Sequence, residues 1–123
     1  MKETILVVEN EEVLRYLYVE ELRQEGYEVL TAANGKEALK TLDEQRPDLI
    51  VLDIAMPVMD GIEAISHIIG RNRAIPIILH TSHAEYRQDF RSWAADAYVM
   101  KSYDLGELKE TIRSLMQRGG RLG

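Results

Sequence analysis

Short apolar runs recur along the chain: Ile5 to Val8, Leu49 to Leu52, Ile75 to Leu79 and Ala97 to Met100, with a mixed run from Tyr27 to Ala32. Each is bounded by polar or turn-forming residues and has the length of a strand. Between them the apolar residues return at helical spacing. Val13, Leu14, Leu17, Tyr18, Glu21 and Leu22 form a mostly apolar stripe, and Gly26 supplies its stop signal. Asn34-Gly35 reads as a turn, after which Ala38, Leu39 and Leu42 mark a second helix ending before Pro47. Ile62 to Ile69 predicts a third helix and Ala84 to Trp93 a fourth. Leu105, Leu108, Ile112, Leu115 and Met116 form the stripe of a last helix. The tail, residues 118–123, is expected to fray.

Strands alternating with helices imply parallel strands joined by right-handed helical crossovers. The strands read as continuous apolar runs because helices cover both faces of such a sheet. The expected fold is α/β: an open, doubly wound sheet, with ligands at the carboxyl edge of the strands. The residues at that edge are informative. Asp53 ends Leu49 to Leu52; Glu9 and Asn10 follow Val8; Thr81 closes the fourth strand; Lys101 lies just beyond Met100. Asp is depleted in strands. A lone strand-end Asp reads as a turn former or cap, but here acids, an amide, a hydroxyl and a lysine gather at one edge.

Composition narrows the classes. The 123 residues suit one domain, and 46% hydrophobic content supports a real core. The formal net charge of -6, without a dense basic cluster, argues against a direct nucleic-acid partner. The lack of Cys excludes disulfides and thiol chemistry. No apolar stretch approaches the roughly 20 residues that span a membrane. The start, Met1-Lys2-Glu3-Thr4, shows no signal-peptide pattern, so a cytoplasmic location is expected.

Acidic and amide side chains converging from two strands suit a hard divalent cation such as Mg²⁺, which prefers oxygen ligands and often bridges carboxylate to phosphate. Asp53 is the candidate nucleophile, because an aspartate can form an acyl phosphate. Lys101 can pair with Asp53 and then with phosphoryl oxygens, and the Thr81 hydroxyl can donate to another of them. Backbone N–H groups after Asp53 add donors.

These residues carry a resemblance. The segments Ile5-Leu6-Val7-Val8-Glu9-Asn10-Glu11, Asp53-Ile54-Ala55-Met56-Pro57-Val58-Met59-Asp60-Gly61, Pro76-Ile77-Ile78-Leu79-His80-Thr81-Ser82 and Tyr98-Val99-Met100-Lys101 together resemble the receiver domain of two-component response regulators, of the single-domain, chemotaxis-Y-like type. The likeness covers about residues 4–117. It implies a flavodoxin-like five-stranded parallel sheet of order 2-1-3-4-5 and a single receiver domain over residues 1–123. It implies that Asp53 is the phospho-acceptor, that Thr81 turns toward the phosphoryl group, and that Lys101 is the lysine of the site. Tyr98 matches the aromatic switch residue. Glu9, Asn10, Asp53 and the Ala55 backbone carbonyl match the Mg²⁺ ligands. Ala55 and His83 match positions that tune acyl-phosphate hydrolysis. The implied partners are a sensor histidine kinase or phosphotransfer protein and a downstream protein target. A homodimer can form through the face made by the fourth helix, fifth strand and last helix. The resemblance implies a phospho-acceptor signalling domain rather than an enzyme, with at most slow self-dephosphorylation. A chain ending at residue 123 is expected to act through protein contact or phosphoryl relay.

Four positions depart from the family pattern. Asn10 stands where a second acid usually binds the metal directly, and Glu9 is one methylene longer than Asp, so weakened Mg²⁺ binding is expected. Ser102 follows Lys101 where proline is common. His83 lies two residues after Thr81, where a solvated loop histidine is the plainer reading. The alternative function is a pseudo-receiver, an interaction module that is not phosphorylated because Glu9 and Asn10 replace the acidic pair. A Mg²⁺-dependent hydrolase is weaker, since Ala55 stands where its general acid belongs. A flavin carrier lacks its phosphate cradle, the first loop being Glu-Asn-Glu. Tyr16 and Tyr18 face different sides of the first helix, so one of them should be exposed.

Overall fold

The computed structural model describes residues 2–53, 61–71, 74–82, 95–102 and 104–117. Five strands, β1 (Thr4–Val8), β2 (Glu28–Ala32), β3 (Leu49–Leu52), β4 (Ile77–Thr81) and β5 (Ala97–Met100), form one parallel sheet in the order β2-β1-β3-β4-β5. The helices among the described residues are α1 (Glu12–Gln24), α2 (Gly35–Glu44), α3 (Gly61–Arg71) and α4 (Gly106–Gln117). The predicted doubly wound, flavodoxin-like sheet is present with the predicted strand order. The helix expected over Ala84 to Trp93, and Trp93 itself, lie outside the described residues.

Alternation along the strands splits the core into two layers. Ile5, Val7, Leu49, Val51, Ile78 and Val99 face α1 and α4, meeting Tyr18, Leu22, Leu108 and Ile112. Leu6, Val8, Ile50, Leu52, Ile77 and Leu79 face the other way, toward Ala38 and Leu39 of α2 and Ala64, Ile65 and Ile68 of α3. With both faces covered, β1 from Ile5 to Val8, all of β3 and β4 from Ile77 to Leu79 are apolar at every position, and each such burial contributes roughly 1.5–3 kcal/mol. β2 lies at the sheet margin, where Glu28 and Thr31 are exposed. That explains its mixed composition.

Helix ends follow local chemistry. Gly26 takes a positive φ of 96°, and the Tyr27 and Gly26 N–H groups donate to the carbonyls of Leu22 and Arg23. This is a Schellman termination that L side chains adopt poorly. Asn34-Gly35 is not a free-standing turn. Asn34 caps α2, its Oδ1 accepting from the Glu37 N–H at 2.9 Å, while Glu37 Oε1 accepts from the Ala33 N–H at 2.9 Å. The pair works as a reciprocal cap, so the helix begins at once. β4 begins and ends two residues later than expected, which puts Thr81 inside the strand. Val13 is 80% exposed and does not belong to the core stripe of α1. Glu21 does belong to that stripe by contact: its Oε1 accepts from Lys109 Nζ of α4 at 2.7 Å. No helix of the described residues is long and apolar enough to cross a membrane.

Candidate functional site

The carboxyl ends of β1, β3 and β5 hold their candidate residues through backbone ladders that run one residue past the strands. The Glu9 N–H donates to the Ala32 carbonyl at 3.0 Å and the Asp53 N–H to Val8 at 3.1 Å. The Lys101 N–H donates to Thr81 at 2.8 Å. Because Val8 and Leu52 are register partners, Glu9 and Asp53 emerge side by side. Asp53 is 5% exposed, Glu9 1% and Thr81 0%.

Lys101 joins the acids. Its Nζ lies 2.8 Å from Glu9 Oε1 and 3.0 Å from Asp53 Oδ2. Burial works against the ammonium, but hydrogen bonds to Glu9 and Asp53 and the charges of both carboxylates outweigh it and raise its pKa above the usual lysine value. One ammonium therefore serves two buried carboxylates. The sequence pairs Lys101 with Asp53; the structure adds Glu9, whose extra methylene carries its carboxylate to the ammonium.

Glu9 is fixed from several sides. Its Oε2 accepts from the Glu11 N–H at 3.1 Å, and its carbonyl accepts from Arg15 Nη1 at 2.7 Å. The Arg15 contact ties α1 to the β1–α1 loop and was not foreseen; only its place one turn into α1 hints at it. Asn10 is exposed at the same edge. The donors suit a hard cation: two carboxylates at adjacent strand ends and an amide oxygen beside them. Their charge is lower than two acids and Asp53 would supply. Among the described residues no three His, Asp or Glu groups converge as a metal cluster. Ala55, the segment through Asp60 and His83 lie outside the described residues.

Tyr98 is half-buried and packs against the layer that contains Leu79, on the sheet face shared with Thr81. Its hydroxyl donates to the Met100 sulfur at 3.2 Å. On the opposite face, His80 is 2% exposed and its ring centroid lies 5.1 Å from that of Tyr18, tilted by 54°. Burial and then the Lys101 charge push the His80 pKa down to about 4. His80 Nδ1 has no hydrogen-bond partner among the described residues. Tyr18 is the buried member of the α1 tyrosine pair, and its hydroxyl pKa is raised by burial and by Glu9, Asp53 and Glu11. Tyr16 is the exposed member, at 67%. A cavity of about 320 Å³, lined by Glu11, Leu14, Tyr18, Lys101 and Ser102, opens between the start of α1 and the chain after β5. The Ser102 Oγ accepts from the Asp104 N–H at 3.1 Å and Asp104 Oδ1 from the Gly106 N–H at 2.8 Å, so these two side chains shape the entry to α4.

Known proteins resemble this chain in sequence and in fold. The sequence model of the response regulator receiver domain matches residues 5–113. The alkaline phosphatase synthesis transcriptional regulatory protein PhoP of Bacillus subtilis is 34% identical over 120 residues, which cover 96% of this chain and 50% of that protein. The chain thus spans about half the length of that relative. Sporulation initiation phosphotransferase F of Bacillus subtilis is 32% identical over 118 residues, covering 94% of this chain and 95% of that protein. Among solved structures, the response regulator protein TrrA of Thermotoga maritima in complex with Mg²⁺ and beryllium fluoride matches with a TM-score of 0.86 and 47% identity, covering 92% of this chain and 98% of that one. TrrA has also been crystallised in complex with the histidine kinase ThkA. With its sheet order, its strand-end carboxylates and the match over most of its length, this chain belongs to the response regulator receiver domain family of two-component signalling.

Proposed function

We propose that Asp53 accepts a phosphoryl group from a histidine kinase or phosphotransfer protein and that the modification switches a protein-interaction face. The observation that carries this reading is the Lys101 ammonium 3.0 Å from a nearly buried Asp53 carboxylate. The lysine neutralises the acceptor at rest and is in place for phosphoryl oxygens afterwards. Thr81, wholly buried on the neighbouring strand, supplies a hydroxyl donor. Ala55 and His83 are proposed to set how fast the acyl phosphate is lost. Tyr98 is proposed to follow Thr81 inward.

Glu9, Asn10, Asp53 and the Ala55 carbonyl are proposed to hold Mg²⁺, which when bound offsets charge between the carboxylate and an incoming phosphoryl group. Asn10 brings no charge, and Glu9 already serves Lys101 and the Glu11 N–H. Metal affinity is therefore lower than with two acids. Restoring the acid by Asn10→Asp is expected to tighten Mg²⁺ about tenfold, or about 1.4 kcal/mol, in a direct titration; equal affinities would remove the idea.

The phosphodonor is proposed to dock on the open side of α1, where Val13 and Tyr16 expose apolar surface beside the cavity that Lys101 lines. A cytoplasmic location, one receiver domain over residues 1–123 and a homodimer belong to this same proposal. Intact mass after incubation with a small-molecule phosphodonor and Mg²⁺ tests it. One phosphoryl group gained, and none in Asp53→Asn, is the expected result. The exposed, uncharged Asn10 favours one second reading, a phosphate-independent interaction module. Failure of the native chain beside a reacting Asn10→Asp variant would select it.

A further inference from the structure

Met100 lies across from Thr81 in the sheet and two residues along β5 from Tyr98, the two side chains proposed above to switch. In the parallel pairing of β4 with β5, Thr81 lies opposite Met100 and Leu79 opposite Tyr98. Side chains alternate along a strand, so Thr81, Leu79, Tyr98 and Met100 share one sheet face, while His80 and Val99 take the other. Thr81 is fully buried; Tyr98 and Met100 are half-buried. The Tyr98 hydroxyl donates to the Met100 sulfur at 3.2 Å. Just beyond this pair, the Lys101 N–H bond to the Thr81 carbonyl at 2.8 Å keeps the two strands in register. Side chains, not strands, are therefore the adjustable parts here. A thioether is a weak acceptor on a flexible, unbranched stem. It can bias a tyrosine ring and still release it.

We propose that Met100 is a positioning residue that couples Thr81 to Tyr98: its thioether holds the Tyr98 hydroxyl in the half-buried position while Thr81 lies beside it. When Thr81 turns toward a phosphoryl oxygen on Asp53, the packing around Met100 loosens and the ring is freed to move. The inference rests on the reading of Asp53 as a phospho-acceptor. The bond stabilises the resting arrangement alone, so its removal must favour the phosphoryl-bound one.

The test uses beryllium fluoride with Mg²⁺ as the phosphoryl mimic, titrated against the native chain, Met100→Leu, Tyr98→Phe and the double variant. Met100→Leu nearly preserves volume and apolarity but removes the acceptor. It is expected to tighten beryllium fluoride binding by about two- to tenfold and to shift the Tyr98 ring resonances of the resting protein. In the Tyr98→Phe background the same substitution is expected to change nothing, because no hydroxyl remains to be held. An equal change in both backgrounds would reduce Met100 to packing and overturn the proposal. Unaltered binding and an unmoved ring in Met100→Leu would overturn it too. A native chain that takes up no beryllium fluoride would instead defeat the phospho-acceptor reading, and the coupling with it.

Discussion

His80 is the residue whose chemistry is least like that of its position. It is a neutral imidazole in an apolar layer, held against Tyr18 and near the Lys101 charge, with its pKa pushed down to about 4. An ordinary histidine in the unfolded chain titrates near 6.5. Above that value both states are neutral and the group is silent. As pH falls below it, the unfolded chain takes up a proton that the folded chain refuses, and stability falls until the folded pKa is passed. The loss from this group amounts to about 3 kcal/mol at most. Urea unfolding at pH 7 and pH 4.5 should therefore show a drop that His80→Met reduces; an identical drop in the variant would show that carboxylates alone carry it. Lys101 makes the opposite case. Its replacement by Met removes the ammonium that contacts both buried carboxylates and should destabilise by about 3 kcal/mol at neutral pH. Lys101→Met combined with Glu9→Gln and Asp53→Asn should recover most of that loss, because the repelling charges are gone.

At the scale of elements, local and tertiary causes separate cleanly in α2 and β3. The α2 start depends on Asn34, whose cap answers an otherwise unpaired Glu37 N–H. Asn34→Ala should lower stability by about 1 kcal/mol, read as a shift of the urea midpoint with unchanged slope. β3 depends instead on what covers it. Ile50 is fully buried between β1 and β4 under the α2–α3 layer, so Ile50→Ala should cost about 2–5 kcal/mol. The sequence pattern read β3 correctly because burial on both faces leaves no polar position to break the run. It misread Asn34-Gly35 because a capping residue and a turn residue share the same chemistry. It placed Val13 in the core because helical spacing alone gives a wide stripe. Where that stripe ends depends on how α1 sits on the sheet.

For the molecule as a whole, ligand binding and folding are linked. If the carboxyl edge takes Mg²⁺ and a phosphoryl mimic only when Glu9, Asp53 and Lys101 are assembled, those ligands together must raise the melting temperature. Adding beryllium fluoride with Mg²⁺ should raise it, and chelating the metal should reverse the effect. Asp53→Asn should show no gain. A rise that survives Asp53→Asn would place the ligand elsewhere.

The alternation of apolar runs with helical stripes by itself determined a parallel α/β sheet, because only strands covered on both faces need to be apolar throughout. It also gathered an Asp, a Glu, a Thr and a Lys at one end of that sheet, where they have no folding reason to be together, and so marked that end as the candidate site. Tertiary structure alone decided how those residues divide their work. Glu9 reaches Lys101 as closely as Asp53 does because strand register sets their tips side by side. Arg15 reaches back to the Glu9 carbonyl because of the angle at which α1 leaves its loop. The Tyr98 hydroxyl meets Met100, and the His80 ring meets Tyr18, through side-chain directions that no spacing along the chain encodes. Periodicity fixes the face on which a residue lies. Its partner on that face is chosen by packing between elements far apart in sequence.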